Sequence, residues 1–217
     1  MKTNKIFFLI LAFAFLSCQL SAQIKVKSIG LNLGYYEPEL DYWNDVALST
    51  WDDQFSGGFN GLVNLEVNVV TPVSVRFNVG YWSQEVEQPG IEFGDVSRTD
   101  RISIQLIPIT LDAIARTNVL LPSLEIFGGA GAGTNFVSQN YEREIPDMGT
   151  TEDKSNGRDF ITYVLGGVDY NVLSNLALGM EFRYNWADYE QKINNNQGSV
   201  DVKIDGPQIL FTLKYLY

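Results

Sequence analysis

The 217-residue chain contains no histidine and one cysteine, Cys18. Without histidine, the general base or orienting imidazole of most hydrolytic and acyl-transfer sites is missing. Without paired cysteines there is no disulfide framework and no Cys/His metal site. Positive charge is scarce: 15 Lys and Arg stand against 26 Asp and Glu, for a formal net charge of −11. That balance argues against a nucleic-acid partner. Long apolar runs are also few. Residues 6–16 form the single one, and it is short for a membrane-spanning helix. Any crossing of a membrane must therefore be made by strands.

That apolar run follows the basic start Met1-Lys2-Thr3-Asn4-Lys5 and precedes Leu20-Ser21-Ala22-Gln23. Basic start, apolar stretch and small residue together predict an export signal over 1–22, cleaved after Ala22. A membrane anchor helix and a lipid anchor at Cys18 are the alternatives, although Phe15-Leu16-Ser17 is a poor lipobox. Cleavage leaves residues 23–217 as one domain, with a net charge of about −13. It also removes the only cysteine, so another device must hold an exported chain together.

What is present is alternation. Eight stretches, at about 27–36, 58–69, 73–82, 101–114, 124–138, 160–170, 176–186 and 206–217, alternate apolar with polar residues at a period of two. In the second, Phe59, Val63, Leu65, Val67 and Val69 oppose Asn60, Asn64, Glu66 and Asn68. In the last, Ile209, Phe211, Leu213, Tyr215 and Tyr217 oppose Gln208, Thr212 and Lys214. Pro108 interrupts the fourth and predicts a bulge that swaps its faces, with Ile102, Ile104 and Leu106 outward before it and Thr110 and Asp112 inward after it. The fifth carries an inward glycine row, Gly129, Gly131 and Gly133, that leaves room for long side chains. The sixth is ambiguous in parity around Gly166-Gly167.

Connections alternate in length. Those at about 70–72, 117–123 and 171–175 are short; those at about 37–57, 83–100, 139–159 and 187–205 are long. An apolar outer face, short turns on one side and long loops on the other predict an all-β fold, an eight-stranded antiparallel transmembrane up-and-down β-barrel. Tyr35, Phe59, Tyr81, Trp82, Phe136, Tyr184 and Trp186 fall near the long-loop ends, and Tyr170, Tyr215 and Tyr217 near the other, as interface aromatics do. The long loops hold most of the carboxylates, against Arg98, Arg143, Lys154, Arg158, Lys192 and Lys203. Such a rim is either plain solvated loop, or a site for divalent cations bridging to anionic outer-leaflet lipid, or an attractor of a basic partner.

The alternation turns six charged residues inward: Glu66, Arg76, Glu125, Glu181, Arg183 and Lys214. An eight-stranded barrel has a lumen just wide enough for side chains to fill. These six are expected to form a structural polar network that plugs it; a narrow ion path lined by the same groups is the alternative. Neither Asp147–Asp153 nor Asn194–Gly198 has EF-hand spacing. Gly128-Gly129-Ala130-Gly131-Ala132-Gly133 lies within a strand pattern and lacks the lysine of a phosphate-binding loop. No catalytic residue, cofactor site or metal site emerges.

Three segments carry a resemblance. Leu124 to Gly133 is similar to the glycine-rich mid-barrel strand of the small outer-membrane β-barrel family, the porin-like or opacity-like proteins related to the OmpA transmembrane domain and OmpX. Gly166 to Tyr184 resembles that family's penultimate hairpin. Phe211-Thr212-Leu213-Lys214-Tyr215-Leu216-Tyr217 resembles the signal read by the barrel-assembly machinery, with Tyr217 where the family favours Phe. The Leu20–Gln23 junction looks like those common in Bacteroidetes exports. The resemblance implies a cell outer-membrane location, the assembly machinery as a partner in biogenesis, lipopolysaccharide as the surrounding lipid and no cofactor. It implies a role in envelope integrity, adhesion or docking, or else a narrow porin-like channel, rather than an enzyme. A soluble secreted barrel with an apolar ligand inside is disfavoured by Asn60, Asn64, Glu66 and Asn68.

Overall fold

The computed structural model describes residues 25–217 except 52, 94, 95, 119, 120, 147 and 194–197. The expected leader and the loop carboxylates Asp52, Asp95 and Asp147 lie outside the described residues. Eight strands close into one antiparallel barrel: β1 (Lys25–Tyr36), β2 (Gly58–Val70), β3 (Val73–Phe93), β4 (Val96–Asn118), β5 (Leu124–Ile145), β6 (Gly149–Leu173), β7 (Leu176–Trp186) and β10 (Gly206–Leu216). Each pairs with its neighbours in sequence, and β1 closes on β10 with Ile29 opposite Tyr215 and Leu33 opposite Phe211. The two strands β8 (Asp188–Ile193) and β9 (Gly198–Lys203) form a separate hairpin between β7 and β10.

The outward residues form an exposed apolar band that includes Leu31, Val63, Phe77, Leu111, Val164, Met180 and Phe211. A closed barrel leaves no strand edge unpaired in the hydrocarbon layer, so this face can be solvated by acyl chains. Tyr35, Phe59, Tyr81, Phe136, Phe160 and Trp186 stand exposed at one end of the band, and Tyr170, Tyr215 and Tyr217 at the other. Trp82 departs from the sequence expectation. It follows outward Tyr81, so the pleat turns it into the barrel, where it is 2% exposed and meets Tyr36 edge-on.

Pro108 does not swap the faces of β4. Val79 pairs with Ile109 and Trp82 with Leu106 in unchanged register, and the ladder skips only the residues between. Gly80 accounts for the tolerance: a Cβ there would meet the Pro108 ring at 2.9 Å, so glycine makes room for a proline in line. Ile102, Ile104 and Leu106 consequently point inward and are buried. An apolar inward face is stable at that level because the interior there is apolar as well.

Two of the expected long loops are strands. β3 and β4 pair as far as Phe93 opposite Val96, and β5 and β6 as far as Ile145 opposite Gly149, so both hairpins rise beyond the apolar band. Alternation continues past the membrane through buried Trp82, Val86, Ile102 and Val137. Outward Glu85 and Glu87 and the Pro89-Gly90 step, where the register shifts, obscure it in sequence. The fourth expected loop, 187–205, contains the β8–β9 hairpin. The first, 37–57, folds over the barrel mouth. It contains a π-helical turn, Trp43–Ala47, and buries Leu40, Trp43, Leu48 and Phe55 against Tyr189, Val202 and Ile204. Leu40 takes a left-handed backbone (φ 47°) and is fully buried, so packing offsets its strain.

Candidate functional site

The lumen is filled in layers. At its centre the Arg76 guanidinium donates to Asp112 at 2.7 Å and to both oxygens of Glu181 at 2.7 and 3.0 Å. Arg183 donates to Glu181 at 2.5 Å, and the Tyr163 hydroxyl donates to Asp112. Four charges thus cancel, and all four side chains are at most 2% exposed. Register explains the meeting. Arg76 lies directly opposite Asp112 on β4, while Glu181 reaches it from β7 across the lumen. Gly131 stands between Asp112 and Tyr163 on adjacent strands, and a Cβ there would collide with both.

A second layer lies toward the short turns. Arg116 donates to both oxygens of Glu66 at 2.7 and 2.6 Å and to Asp169 at 2.6 Å. Lys214 donates to Asp169 at 2.5 Å, and Ser74 donates to Glu66 at 2.7 Å. At the rim Lys27 pairs with Glu125 at 3.0 Å. The Phe127 ring sits between Arg116, 4.5 Å from its centroid, and Lys214, 4.9 Å. Gly167 opposite Phe127 leaves room for that ring.

Above the charges come amides, Asn32, Asn64, Asn60, Asn135 and Asn185, and then the apolar cap. The cap is pinned by a few polar contacts. The Tyr36 hydroxyl donates to the Ile204 carbonyl, and the Trp43 indole N–H donates to the Tyr189 oxygen at 2.9 Å. Burial pushes the Tyr189 phenol up to about 12, so it stays neutral at physiological pH. Backbone bonds from Glu39 to Asp205 and from Leu40 to Lys203 stitch the first loop to the end of the β8–β9 hairpin. The cavity left between charge layer and cap measures about 30 Å³. An internal small-molecule site would need roughly 300 Å³ or more.

Of the six residues expected in the lumen, Glu66, Arg76, Glu181, Arg183 and Lys214 lie fully inside and Glu125 lies at the rim, 22% exposed. Sequence reasoning missed three partners. Arg116 lies two residues beyond the expected end of the fourth strand, and extending the even parity would have reached it. Asp169 was hidden by the undecided parity of the sixth strand. Asp112 reads as inward, but nothing in the sequence joins it to the network. Among the described residues no group of three or more metal-ligating side chains converges.

The family model described as the outer membrane protein beta-barrel domain matches residues 8–215. No curated protein matches the chain in sequence. Among solved structures the chain is similar to neisserial surface protein A, at 16% identity and a TM-score of 0.51 over 88% of this chain and 97% of that one. It is similar to a major outer membrane protein from Thermus thermophilus, at 12% identity and a TM-score of 0.48 over 88% and 98%. A third is Ail, the attachment invasion locus protein of Yersinia pestis, at 12% identity and a TM-score of 0.45 over 88% and 99%. At 16% identity the likeness to neisserial surface protein A speaks to the fold alone. With the closed lipid-facing barrel, the family match over nearly the whole chain decides the identity: this is a protein of the outer membrane, and it belongs to the outer membrane protein beta-barrel domain family.

Proposed function

We propose that this protein is a closed structural and docking barrel, with a lumen sealed by side chains and a rigid acidic surface displayed outside the cell. The observation that carries this reading is the Arg76–Asp112–Glu181–Arg183 layer, which spans the lumen under a continuous apolar cap. A permeating ion would have to separate buried pairs that each lose several kcal/mol when one partner is removed. The lumen carboxylates Glu66, Asp112, Asp169 and Glu181 are each engaged by arginine or lysine, which suits a structural plug.

The docking face is the extended β3–β6 sheet. Its outward side carries Glu85, Glu87, Glu142, Glu144 and Glu152; Arg101 is shared among Glu85, Glu87 and Glu142, and Lys154 pairs with Glu152 at 2.8 Å, so the carboxylates remain in excess. Excess carboxylate on a firm sheet suits a basic partner protein, or lipopolysaccharide phosphates bridged by divalent cations. The outward apolar row of β10, Ile209, Phe211, Leu213 and Tyr215, suits handling by the barrel-assembly machinery during insertion.

Planar-bilayer recording of the purified protein tests the sealed lumen. The expected result is no unitary current. Steady unitary conductance that changes when Glu66 or Arg76 is replaced would establish the narrow channel instead.

A further inference from the structure

We infer that the cavity between charge layer and cap is a built hydration site that holds about two ordered water molecules. Three of the residues that line it, Asn60, Asn135 and Trp82, each carry a buried polar atom without a protein partner: Oδ1, Oδ1 and Nε1. The three are 3%, 1% and 2% exposed, so bulk solvent does not satisfy these atoms. These residues come from three strands, β2, β5 and β3, and line one cavity of about 30 Å³. A buried water needs roughly 10–15 Å³ and two to four polar partners.

The mix of atoms selects the ligand. Two are acceptors and one is a donor. A sodium ion would serve the carboxamide oxygens and leave the indole N–H unpaired. A chloride would serve the indole and leave the oxygens unpaired. Water both donates and accepts, and it fits the volume. An orphaned polar atom in a low-dielectric interior carries its full desolvation penalty, which makes the hydrated cavity the lower-energy arrangement. Arg183, Tyr36 and Tyr163 line the same cavity. The waters therefore link the central charge layer to the underside of the cap. This assignment does not rest on the sealed-lumen function, since a conducting barrel could carry the same site.

The test is NMR of the full chain in lipid nanodiscs with 15N-labelled tryptophan. The chain has four tryptophans, so the Trp82 indole is assigned by its loss in Trp82→Phe. The expected result is a direct cross-peak from the Trp82 indole proton to a long-lived water. It persists in Tyr36→Phe and Tyr163→Phe, which remove the neighbouring hydroxyls, and is lost in Asn135→Leu, which fills the cavity. Absence of the cross-peak in the unmodified protein overturns the proposal, and that measurement stands even if Asn135→Leu does not fold. A cross-peak that disappears with either phenol reports relay through a hydroxyl and overturns it too. A Trp82 indole shift that titrates with bromide assigns the pocket to an anion and overturns it as well.

Discussion

Replacing Arg76 by Met tests the central layer most directly. The substitution keeps an unbranched side chain of similar reach and removes three charge-assisted hydrogen bonds, one to Asp112 and two to Glu181. Two buried carboxylates then share one guanidinium, that of Arg183, which lies at 2.5 Å from Glu181 but 3.9 Å from Asp112. Breaking a buried pair by removing one partner costs about 3–5 kcal/mol. Asp112 keeps the Tyr163 hydroxyl and Glu181 keeps Arg183, so the lower end applies and about 3 kcal/mol is expected. Removing Asp112 as well, in Arg76→Met with Asp112→Leu, leaves a neutral Arg183–Glu181 pair. The double variant should recover about 2 kcal/mol of that loss, a coupling within the range expected for contacting residues. The assay is reversible urea unfolding of the barrel in lipid vesicles, followed by tryptophan fluorescence. A single variant within about 0.5 kcal/mol of the parent, the ordinary spread of inconsequential substitutions, would refute the reasoning. So would a double variant as unstable as the sum of both single changes.

Val63→Arg, on the lipid face of β2, should destabilise the barrel by roughly 2–4 kcal/mol, and Val70→Arg at the short-turn end by about 0–1 kcal/mol, measured by the same unfolding. Gly131→Val should cost about 1–3 kcal/mol because it strikes Asp112 and Tyr163, whereas Gly128→Val on the open outer face should be neutral or mildly stabilising. Tyr189→Phe removes the acceptor of the Trp43 indole N–H; a cost of about 1–2 kcal/mol should appear as faster protease cleavage of the first loop, with the barrel intact. If magnesium bridges the acidic sheet to lipopolysaccharide, replacing Glu142, Glu144 and Glu152 together by Gln should abolish magnesium-dependent retention of the purified barrel on lipopolysaccharide-coated beads while leaving its unfolding unchanged.

Alternation made the barrel legible because a period of two is a local property and each membrane strand expresses it without help. β7 was readable to its last residue for this reason. Legibility failed where the local rule depended on a partner. Pro108 reads as a bulge until Gly80 is known to lie beside it, and only the register brings the two together. Asp169 and Arg116 are 53 positions apart in the chain, and nothing near either one announces the 2.6 Å contact between them. The extended hairpins failed for a different reason. Outside the membrane the outward residues turn polar, so the contrast that marks a strand fades just where β3 and β5 continue.

The reversal of polarity inside the barrel follows from what covers each level. In the membrane the outside of the wall is hydrocarbon, and the apolar requirement of the strands is met there. The lumen is left to polar groups, which must satisfy one another because the space admits little water. Beyond the membrane the outside of the wall is water, and the wall must bury apolar surface inward as any soluble sheet does. Even positions of β4 show both regimes in one strand: Arg116, Asp112 and Thr110 face the lumen at membrane depth, with Ile114 as the one apolar residue among them, and Leu106, Ile104 and Ile102 face it above. An apolar lumen above the membrane needs a lid, and the first loop supplies one through Leu40, Trp43, Leu48 and Phe55. The apolar cover over the barrel mouth is therefore a structural consequence of extending the strands. Shortening the β3–β4 hairpin by paired residues down to Ser83 and Gln105 should expose the cap and loosen the first loop. The charge layer beneath should stay intact, which amide exchange would resolve as lost protection in 37–57 with unchanged protection at Arg76 and Glu181.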